Sequence, residues 1–253
     1  MASRIRADIA LVERGLFESR AKARAAIEAG LVKADGVHVS KASAPLSPGA
    51  RVEASPPHPW VSRGGVKLAY ALEHFGFDPA GRPCLDIGAS TGGFTQVLLA
   101  RGAALVIAVD VGQGQLHPSL ASDAHVVSLE KTDARALTRE RIEDMTRKAA
   151  VDSNAPTMIT CDVSFIGLDK VLPPLLALAT PQSELVALIK PQFEAGAARR
   201  KGGIVRDAAV HEQSCNSVAA LVRSLGWNVV GVEPSPILGG HGNREFLIGA
   251  RHG

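Results

Sequence analysis

Long hydrophobic runs are missing from this sequence. The longest stretch made only of hydrophobic residues, Ala103 to Val109, is seven residues long, whereas a membrane-spanning helix needs about 20. Cysteine is equally scarce: Cys84, Cys161 and Cys215 form no CxxC pair, so we expect neither a disulfide framework nor a metal site. No apolar segment typical of a secretory signal follows the first methionine. We therefore expect a reduced, cytoplasmic protein.

The sequence does have ample apolar material for a folded core. Hydrophobic residues make up 46% of the 253 positions, which excludes disordered and fibrous classes. The net charge is only +3, but residues 1–63 carry ten Lys or Arg and six Asp or Glu, so this quarter is at +4 and the rest at −1. A basic segment on a near-neutral body indicates contact with a polyanion, although an ordinary solvated surface has the same composition.

A proline-rich segment, Ser55 to Pro59, separates two kinds of sequence pattern. Before it, short apolar repeats at helical spacing end at glycines, and Ser19 is a typical N-cap. Asp35-Gly36 is typical of a type I′ turn that joins two strands in a hairpin. We therefore predict a small α+β module of residues 1–55, with helices at 9–15 and 19–30 and strands at 31–34, 37–39 and 50–54.

The order of residues in this module resembles the S4-like RNA-binding domain. The resemblance is carried by the stretches from Arg6 to Ala23 and from Ile27 to Val39. Phe17 is the only aromatic residue here, so recognition of RNA shape and phosphates fits better than base stacking. Family members bind folded RNA through the helix pair and the loop after it. The resemblance implies RNA contacts by Arg4, Arg6, Arg20, Lys22, Arg24 and Lys33, although each is also compatible with a solvated helix face.

After the proline-rich segment, apolar runs alternate with helical segments, a pattern typical of a doubly wound α/β domain. We predict a linker at 56–62 and, from 63 to 253, a Rossmann-like seven-stranded sheet with helices on both faces. Only a Pro- and Gly-rich loop, 234–243, separates the last two strands, so we expect them to pair antiparallel. The predicted strands lie at 84–87, 105–110, 126–129, 158–162, 185–190, 227–232 and 245–248, and the helices at 93–101, 138–150, 167–179 and 208–225.

Charged residues stand at or near the carboxyl end of four apolar runs: Asp86, Asp110, Asp162 and Lys190. In an open parallel sheet, ligands bind at this edge. One such residue is more often a solvated strand end, but four together predict a crevice that holds an active site.

A glycine-rich turn, Asp86 to Phe94, follows the first of these strands. Glycine lets the backbone approach a ligand closely, and a helix N-terminus adds hydrogen-bond donors. The spacing Gly-x-x-x-Gly-Gly differs from the Gly-x-Gly-x-x-Gly of dinucleotide binders, which argues against a nicotinamide dehydrogenase. Asp110 stands 24 residues beyond Asp86, the usual place for a carboxylate on ribose hydroxyls. The pair predicts an adenosine-containing cofactor, unless the turn is only a structural connection.

Six motifs lie along the chain. They are Ser62-Arg63-Gly64-Gly65-x-Lys67-Leu68, Asp86-x-Gly-Ala-Ser-Thr-Gly-Gly-Phe-Thr, Asp110-Val-Gly-x-Gly-Gln-Leu, Cys-Asp162-Val-Ser-Phe-Ile, Ile-Lys190-Pro-Gln-Phe-Glu and Gly242-Asn-x-Glu245-Phe. Together they resemble the TlyA family of ribosomal-RNA ribose methyltransferases. TlyA domains are similar to FtsJ-type methyltransferases, which use S-adenosylmethionine and a Lys-Asp-Lys-Glu tetrad. The motifs show no departure from the family, whereas the loop Arg199-Arg200-Lys201 is more basic than expected.

The resemblance implies methylation of a ribose 2′-hydroxyl in ribosomal RNA, at a cytidine, with the N-terminal module positioning the RNA or the ribosomal subunit. It places the tetrad on Lys67, Asp162, Lys190 and Glu245. The glycine turn would hold the methionine side of S-adenosylmethionine, Asp110 the ribose and Asp133 the adenine amino group. Asp133 is nearly as well suited to cap a helix that begins near Thr138. The residues implied at the cofactor are Asp86, Gly88, Ser90, Gly92, Gly93, Phe94, Asp110 and Asp133.

Methyl transfer to a 2′-hydroxyl requires a base near the oxygen and groups that orient both partners. A lysine can act as that base when a second positive charge nearby lowers its pKa. Two lysines and two carboxylates have a net formal charge of zero, which a partly buried crevice tolerates better than a lone ammonium. We assign Lys190 as the base, with Lys67, Asp162 and Glu245 orienting it and the ribose. Taken singly, Lys67 and Glu245 are as compatible with solvated surface positions as with a place in the active site.

Two other functions stay open at this point. TlyA-like sequences are often named haemolysins, but a membrane-lytic protein needs a span, a signal or a strongly amphipathic cationic helix, and the sequence predicts none. A non-catalytic RNA-binding or ribosome-assembly factor would keep the fold without turnover. The intact tetrad and glycine turn argue against this second alternative.

Overall fold

The computed structural model describes residues 4–149, 155–194, 203–239 and 242–253. The chain divides into two units, Met1–Pro59 and Trp60–Gly253. The basic loop Arg199-Arg200-Lys201 lies outside the described residues.

In the smaller unit, residues 4–59 form two helices and two small antiparallel sheets. The elements are β1 (Ile5–Arg6), α1 (Ala7–Glu13), α2 (Arg20–Glu28), β2 (Val32–Ala34), β3 (Val37–His38), β4 (Pro45–Leu46) and β5 (Val52–Ala54). Ser19 accepts a hydrogen bond from the Lys22 amide at 3.3 Å and caps α2, as predicted. Asp35 and Gly36 both have positive φ, which the predicted type I′ turn requires. The sequence does not predict the ribbon of β1 and β4, because strands of two residues carry no periodicity.

Seven strands of the described residues form the sheet of the larger unit. They are β6 (Pro83–Ile87), β7 (Leu105–Val109), β8 (Val126–Leu129), β9 (Met158–Cys161), β10 (Glu184–Ile189), β11 (Trp227–Pro234) and β12 (Phe246–His252). Their order is β11-β12-β10-β9-β6-β7-β8. Strands β6 to β10 run parallel, and β12 is antiparallel to both β10 and β11. The structure confirms the predicted seven-stranded α/β class and the antiparallel pairing of the last two strands.

Helices cover both faces of this sheet, as predicted. They are α3 (Gly64–Phe75), α4 (Gly93–Ala100), α5 (Pro118–Ala121), α6 (Arg139–Lys148), α7 (Leu168–Leu176), α8 (Pro191–Glu194) and α9 (Ala208–Ser224), with a 3-10 turn at Ala134–Ala136. On one face, Leu68 of α3 and Leu98 of α4 are buried in an apolar layer. On the other, Leu172 of α7 and Val222 of α9 are buried in a second layer. The sequence does not predict α3, since Gly64 and Gly65 weaken its helical pattern.

The order of the strands changes direction at β6, which lies between β7 and β9. Such a switch point opens a crevice at the carboxyl ends of the strands. Directly after β6, the Gly88 amide donates to the carbonyl of Val109 at 2.8 Å. Directly after β9, the Asp162 amide donates to the carbonyl of Ile87 at 2.8 Å. The glycine turn and Asp162 are therefore neighbours at one edge.

Strand β12 brings a second part of the chain to the same edge. It is inserted between β10 and β11 rather than added outside them. In its pairing with β10, Ile189 lies opposite Phe246. Because the two strands are antiparallel, Lys190, which follows Ile189, and Glu245, which precedes Phe246, lie at the same end of the two strands.

Candidate active site

Two ion pairs stand at the carboxyl edge of the sheet. Lys67, on α3, donates from Nζ to Oε2 of Glu245 at 2.5 Å. Lys190 follows β10, and its Nζ lies 2.6 Å from Oδ1 of Asp162. Lys67, Lys190 and Glu245 are buried, and Asp162 is half-buried. A buried charge that loses its partner is costly, so each pair fixes the position of both its members.

The local surroundings direct two of these side chains. The hydroxyl of Ser164 accepts a hydrogen bond from Lys190 Nζ at 2.8 Å, which adds to the ion pair with Asp162 in fixing the position of the ammonium. A Cβ added to Gly239 would lie 1.8 Å from Oε1 of Glu245. Glycine at position 239 is therefore needed for Glu245 to occupy its place beside Lys67.

Asp86 lies beneath the glycine turn rather than in an open crevice. Its carboxylate is fully buried and accepts hydrogen bonds from the hydroxyls of Thr95 at 2.6 Å and Thr160 at 2.9 Å. Burial raises the pKa of Asp86 to about 6, although the two hydroxyls oppose that shift. Asp86 therefore joins α4 to β9 under the turn, and its carboxylate has no exposed surface for direct contact with a ligand.

A cleft of about 580 Å³ has Asp162, a member of one of the two ion pairs, in its lining. Of the residues predicted at the cofactor, it is lined by Gly88, Ser90, Asp110 and Asp133. Gly92 and Gly93 lie at the start of α4, and Phe94 is buried in the apolar layer on that face. The remaining lining comes from Ile87, Val109, Val111, Gly112, Gln115, Thr132, Ala134, Arg135, Asp162, Val163, Ser164, Phe165, Ile166 and Val171.

Asp110 stands at the lip of this cleft, directly after β7. Its Oδ2 accepts the Ser90 amide at 2.8 Å, and its Oδ1 accepts the Gly112 amide at 2.7 Å. A carboxylate has about four lone-pair directions, so acceptor capacity remains on both oxygens. The arrangement leaves a fixed anionic acceptor that can take two further hydroxyl donors.

Glu130, directly after β8, has a role that the sequence analysis missed. Its carboxylate accepts the backbone amides of Gly114 at 2.7 Å, Gln115 at 2.8 Å and Leu116 at 3.3 Å. These hydrogen bonds hold the pKa of Glu130 below its usual range. Glu130 thereby closes the loop after Asp110 into one wall of the cleft. The sequence did carry a signal for Glu130, because it directly follows the predicted strand 126–129.

Asp133 lines the cleft and also serves its own segment. It accepts the Arg135 amide at 2.9 Å, which caps the 3-10 turn, and its Oδ2 pairs with the Arg135 guanidinium at 2.6 Å. The hydrogen bonds from Arg135 lower the pKa of Asp133 to about 2. Thr138 caps α6, through the Arg141 amide at 3.3 Å. A contact of Asp133 with adenine stays a prediction.

Phe165 is the most unusual side chain at the cleft. It is 90% exposed, and its φ of 67° lies in the left-handed region that bulky residues rarely adopt. Its ring lies 5.2 Å from the ring of Phe193. Strained backbone is typical of functional positions, where the surrounding structure holds a side chain outward. Phe165 belongs to the Asp162 motif, but its role was not predicted from the sequence.

The six residues predicted to contact RNA lie in different settings on the smaller unit. Arg6 and Arg20 both bind the carboxylate of Asp8. Lys22 pairs with Glu18 at 2.5 Å, one helical turn away. The other three are Arg4 and Arg24, which are exposed, and Lys33, which is half-buried on β2.

Neither a membrane-spanning helix nor a cluster of metal ligands is found among the described residues. No helix among residues 4–149, 155–194, 203–239 and 242–253 is long and apolar enough to cross a membrane. In the same part of the chain, no three His, Cys, Asp or Glu side chains are grouped as a metal ion would require.

Comparison with known proteins agrees with this geometry. Residues 60–252 match the profile of the FtsJ-like methyltransferases, and residues 5–52 match that of the S4 domain. The larger unit is therefore a methyltransferase of the FtsJ-like class. Over 99% of its length, this chain is 46% identical to the 16S/23S rRNA (cytidine-2′-O)-methyltransferase TlyA of Mycobacterium tuberculosis, of which it covers 91%. The chain belongs to the TlyA family.

Solved structures show the same fold. A candidate hemolysin from Streptococcus thermophilus is 38% identical, with a TM-score of 0.74, and the match covers 100% of this chain and 90% of that one. The N-methyltransferase NodS from Bradyrhizobium japonicum, solved with S-adenosyl-L-homocysteine, has a TM-score of 0.50 at 13% identity; the match covers 78% of this chain and 89% of NodS. The second comparison extends the likeness of fold to a distant methyltransferase.

Proposed function

We propose that this protein transfers a methyl group from S-adenosylmethionine to the 2′-hydroxyl of a cytidine in ribosomal RNA. The observation that carries the proposal is the presence of two ion pairs at the carboxyl edge of the sheet, Lys67 with Glu245 and Lys190 with Asp162, where Asp162 also lines a cleft of about 580 Å³. The 46% sequence identity with the TlyA enzyme of Mycobacterium tuberculosis supports cytidine as the target nucleoside and ribosomal RNA as the substrate.

The cleft fits the proposed cofactor. Its volume of about 580 Å³ lies within the range of small-molecule sites. Gly88 has a φ of 79°, and an added Cβ would lie 2.5 Å from the backbone oxygen of Asp162. The turn can therefore pass close to the strand end only without a side chain. Asp110 adds the anionic acceptor that two vicinal ribose hydroxyls require.

The proposed reaction breaks the O–H bond of the ribose, forms an O–CH₃ bond and breaks the S–CH₃ bond of the cofactor. S-adenosylmethionine would supply the electrophilic methyl and leave as the neutral thioether S-adenosylhomocysteine. Lys190, as a neutral amine, would accept the proton of the 2′-hydroxyl on Nζ, and the ammonium that results is the form that pairs with Asp162. Asp162 and Ser164 hold that nitrogen in place, while Lys67 and Glu245 orient the ribose.

The direct test is methylation of ribosomal RNA by the purified protein with labelled cofactor. We expect label on the 2′-oxygen of a cytidine, located by nuclease digestion and mass spectrometry of the fragments. Comparison with RNA from cells that lack the gene will show whether the same position is modified in the cell. RNA that is bound but never labelled would instead favour a non-catalytic assembly factor.

Replacing Asp110 with alanine is expected to weaken cofactor binding. The carboxylate is the fixed acceptor at the lip of the cleft, and loss of a charged hydrogen bond to a ligand costs about 1.5 to 3 kcal/mol, or about 10- to 150-fold in affinity. Isothermal calorimetry with S-adenosylmethionine will measure the affinity, with Glu73→Ala, which removes an exposed acid of α3 outside the cleft lining, as the control. Equal affinities in the two variants would show that Asp110 does not bind the ribose.

Phe165 has the position and exposure expected of a contact for an unstacked base next to the target ribose. Stacking of a base on an aromatic ring contributes about 1 to 3 kcal/mol, so Phe165→Ala is expected to lower RNA methylation about 5- to 150-fold at saturating cofactor. Phe165→Tyr keeps the ring and should retain most of the rate. Steady-state kinetics with ribosomal RNA distinguishes the two, and an alanine variant as fast as the wild type would exclude stacking.

A further inference from the structure

A buried carboxylate in the smaller unit binds two arginines at once. Asp8 is fully buried at the start of α1. Its Oδ1 accepts from Arg6 Nε at 3.0 Å and its Oδ2 from Arg6 Nη2 at 3.2 Å, the two-bond geometry of an arginine with a carboxylate. Oδ2 also accepts from Arg20, Nε at 3.1 Å and Nη2 at 2.8 Å. One carboxylate therefore fixes two guanidinium groups that come from different elements.

The two arginines remain accessible while the carboxylate does not. The side chains of Arg6 and Arg20 are 46% and 54% exposed, against 0% for Asp8. A guanidinium has five N–H donors, and these contacts use only the Nε and one Nη of each. The unused donors of both arginines, and a net charge of +1 for the group, remain available at the surface.

We infer that Asp8 is a positioning residue that presets Arg6 and Arg20 as a clamp for a phosphate of the RNA backbone. The inference rests on the proposed function and adds to it a residue that does not itself touch RNA. Arginine side chains lose conformational freedom when they bind, and a clamp held by Asp8 has lost that freedom in advance. Its planar donors also suit phosphate oxygens.

If only net charge mattered, removing the carboxylate of Asp8 would strengthen RNA binding, which is the opposite of what the inference predicts. Asp8→Asn adds one positive charge to the unit, and a more basic protein binds a polyanion more tightly. If Asp8 positions the arginines, the same change weakens binding, because both guanidiniums lose the anchor that orders them. The sign of the change therefore separates the two accounts. Hydrogen bonds from the two arginines hold the pKa of Asp8 well below its usual range, so the carboxylate is ionised under assay conditions.

The experiment measures binding of deproteinised ribosomal RNA to the full chain over a series of salt concentrations. We expect Asp8→Asn to bind at least about fivefold more weakly, with the slope of log K against log[salt] reduced by about one, since each phosphate contact contributes about 0.9. Glu28→Gln is the matched control: it removes an exposed acid at the end of α2 and should bind as tightly as the wild type or more so. Circular dichroism reports the folded fraction.

A second variant, Arg6→Lys with Arg20→Lys, keeps both charges and both partners of Asp8 but removes the paired donors. It should also bind RNA more weakly than the wild type, and it provides the test of the clamp if Asp8→Asn fails to fold. Wild-type affinity in either folded variant would overturn the inference. Failure of the wild-type protein to bind ribosomal RNA would instead count against the proposed function.

Discussion

Replacing Lys190 with alanine is expected to abolish methyl transfer while leaving cofactor binding and RNA binding nearly unchanged. The side chain is buried at the end of β10, with its nitrogen held by Asp162 and Ser164. The cleft, in contrast, is lined by residues that follow β6, β7, β8 and β9. Loss of a positioned general base costs about 10²- to 10⁴-fold in rate, and more where the same residue also aligns the nucleophile.

Two further variants make this result specific. Lys190→Arg should be nearly as inactive, because a guanidinium keeps its proton at working pH. Lys170→Ala removes an exposed lysine of α7 and should leave the rate unchanged. Single-turnover transfer of labelled methyl to a ribosomal subunit is the measurement, with each ligand's binding checked separately. If Lys190→Ala keeps more than a few tenths of the wild-type rate, Lys190 is not the base and Lys67 is the next candidate.

The sheet and its active edge were predictable because they depend on local patterns. Each parallel strand is an apolar run, and the residue after it must lie at the carboxyl edge. This is why the sequence alone assigns Asp110, Asp162 and Lys190 to one crevice. The strands of two residues in the smaller unit lack any such pattern, and the ribbon of β1 and β4 therefore became visible only in the fold.

The placement of Lys67 and Glu245 at the site does not follow from local sequence patterns. Glu245 reaches Lys67 because β12 is inserted beside β10, and the order of strands in a sheet cannot be read from the run of residues that forms each strand. Only the resemblance to the TlyA family places these two residues in the tetrad. The same holds for α3, whose paired glycines weaken the helical signal around Lys67.

For the residues predicted at the cofactor, the sequence identifies the segment but not the position of each side chain in it. A sequence motif identifies the glycine turn as a unit but does not tell which of its members face the cleft. Asp86 lies under the turn and Phe94 within the apolar layer, whereas Gly88 and Ser90 line the cleft. Contacts that depend on chain reversal, such as the three amides held by Glu130, require the folded loop.

Deletion of residues 1–58 is expected to leave a folded methyltransferase unit that binds S-adenosylmethionine but barely methylates ribosomal RNA. The larger unit has two apolar layers that share no residue with the core of the smaller one, and the residues around its cleft all lie beyond residue 86. The smaller unit matches the S4 domain, and the segment 1–63 carries a charge of +4. Removing it takes away the phosphate contacts that we propose hold the RNA.

The truncated protein should therefore separate the two binding events. Calorimetry with the cofactor is expected to give wild-type affinity, while single-turnover methylation of ribosomal RNA falls by orders of magnitude at moderate salt. For the full chain, RNA affinity should decline steeply with salt in proportion to the phosphates contacted, and the truncated chain should show a shallower dependence. The opposite result, a truncated protein that methylates at the full rate, would assign RNA recognition to the larger unit alone. No residue of the smaller unit would then be needed to place the substrate.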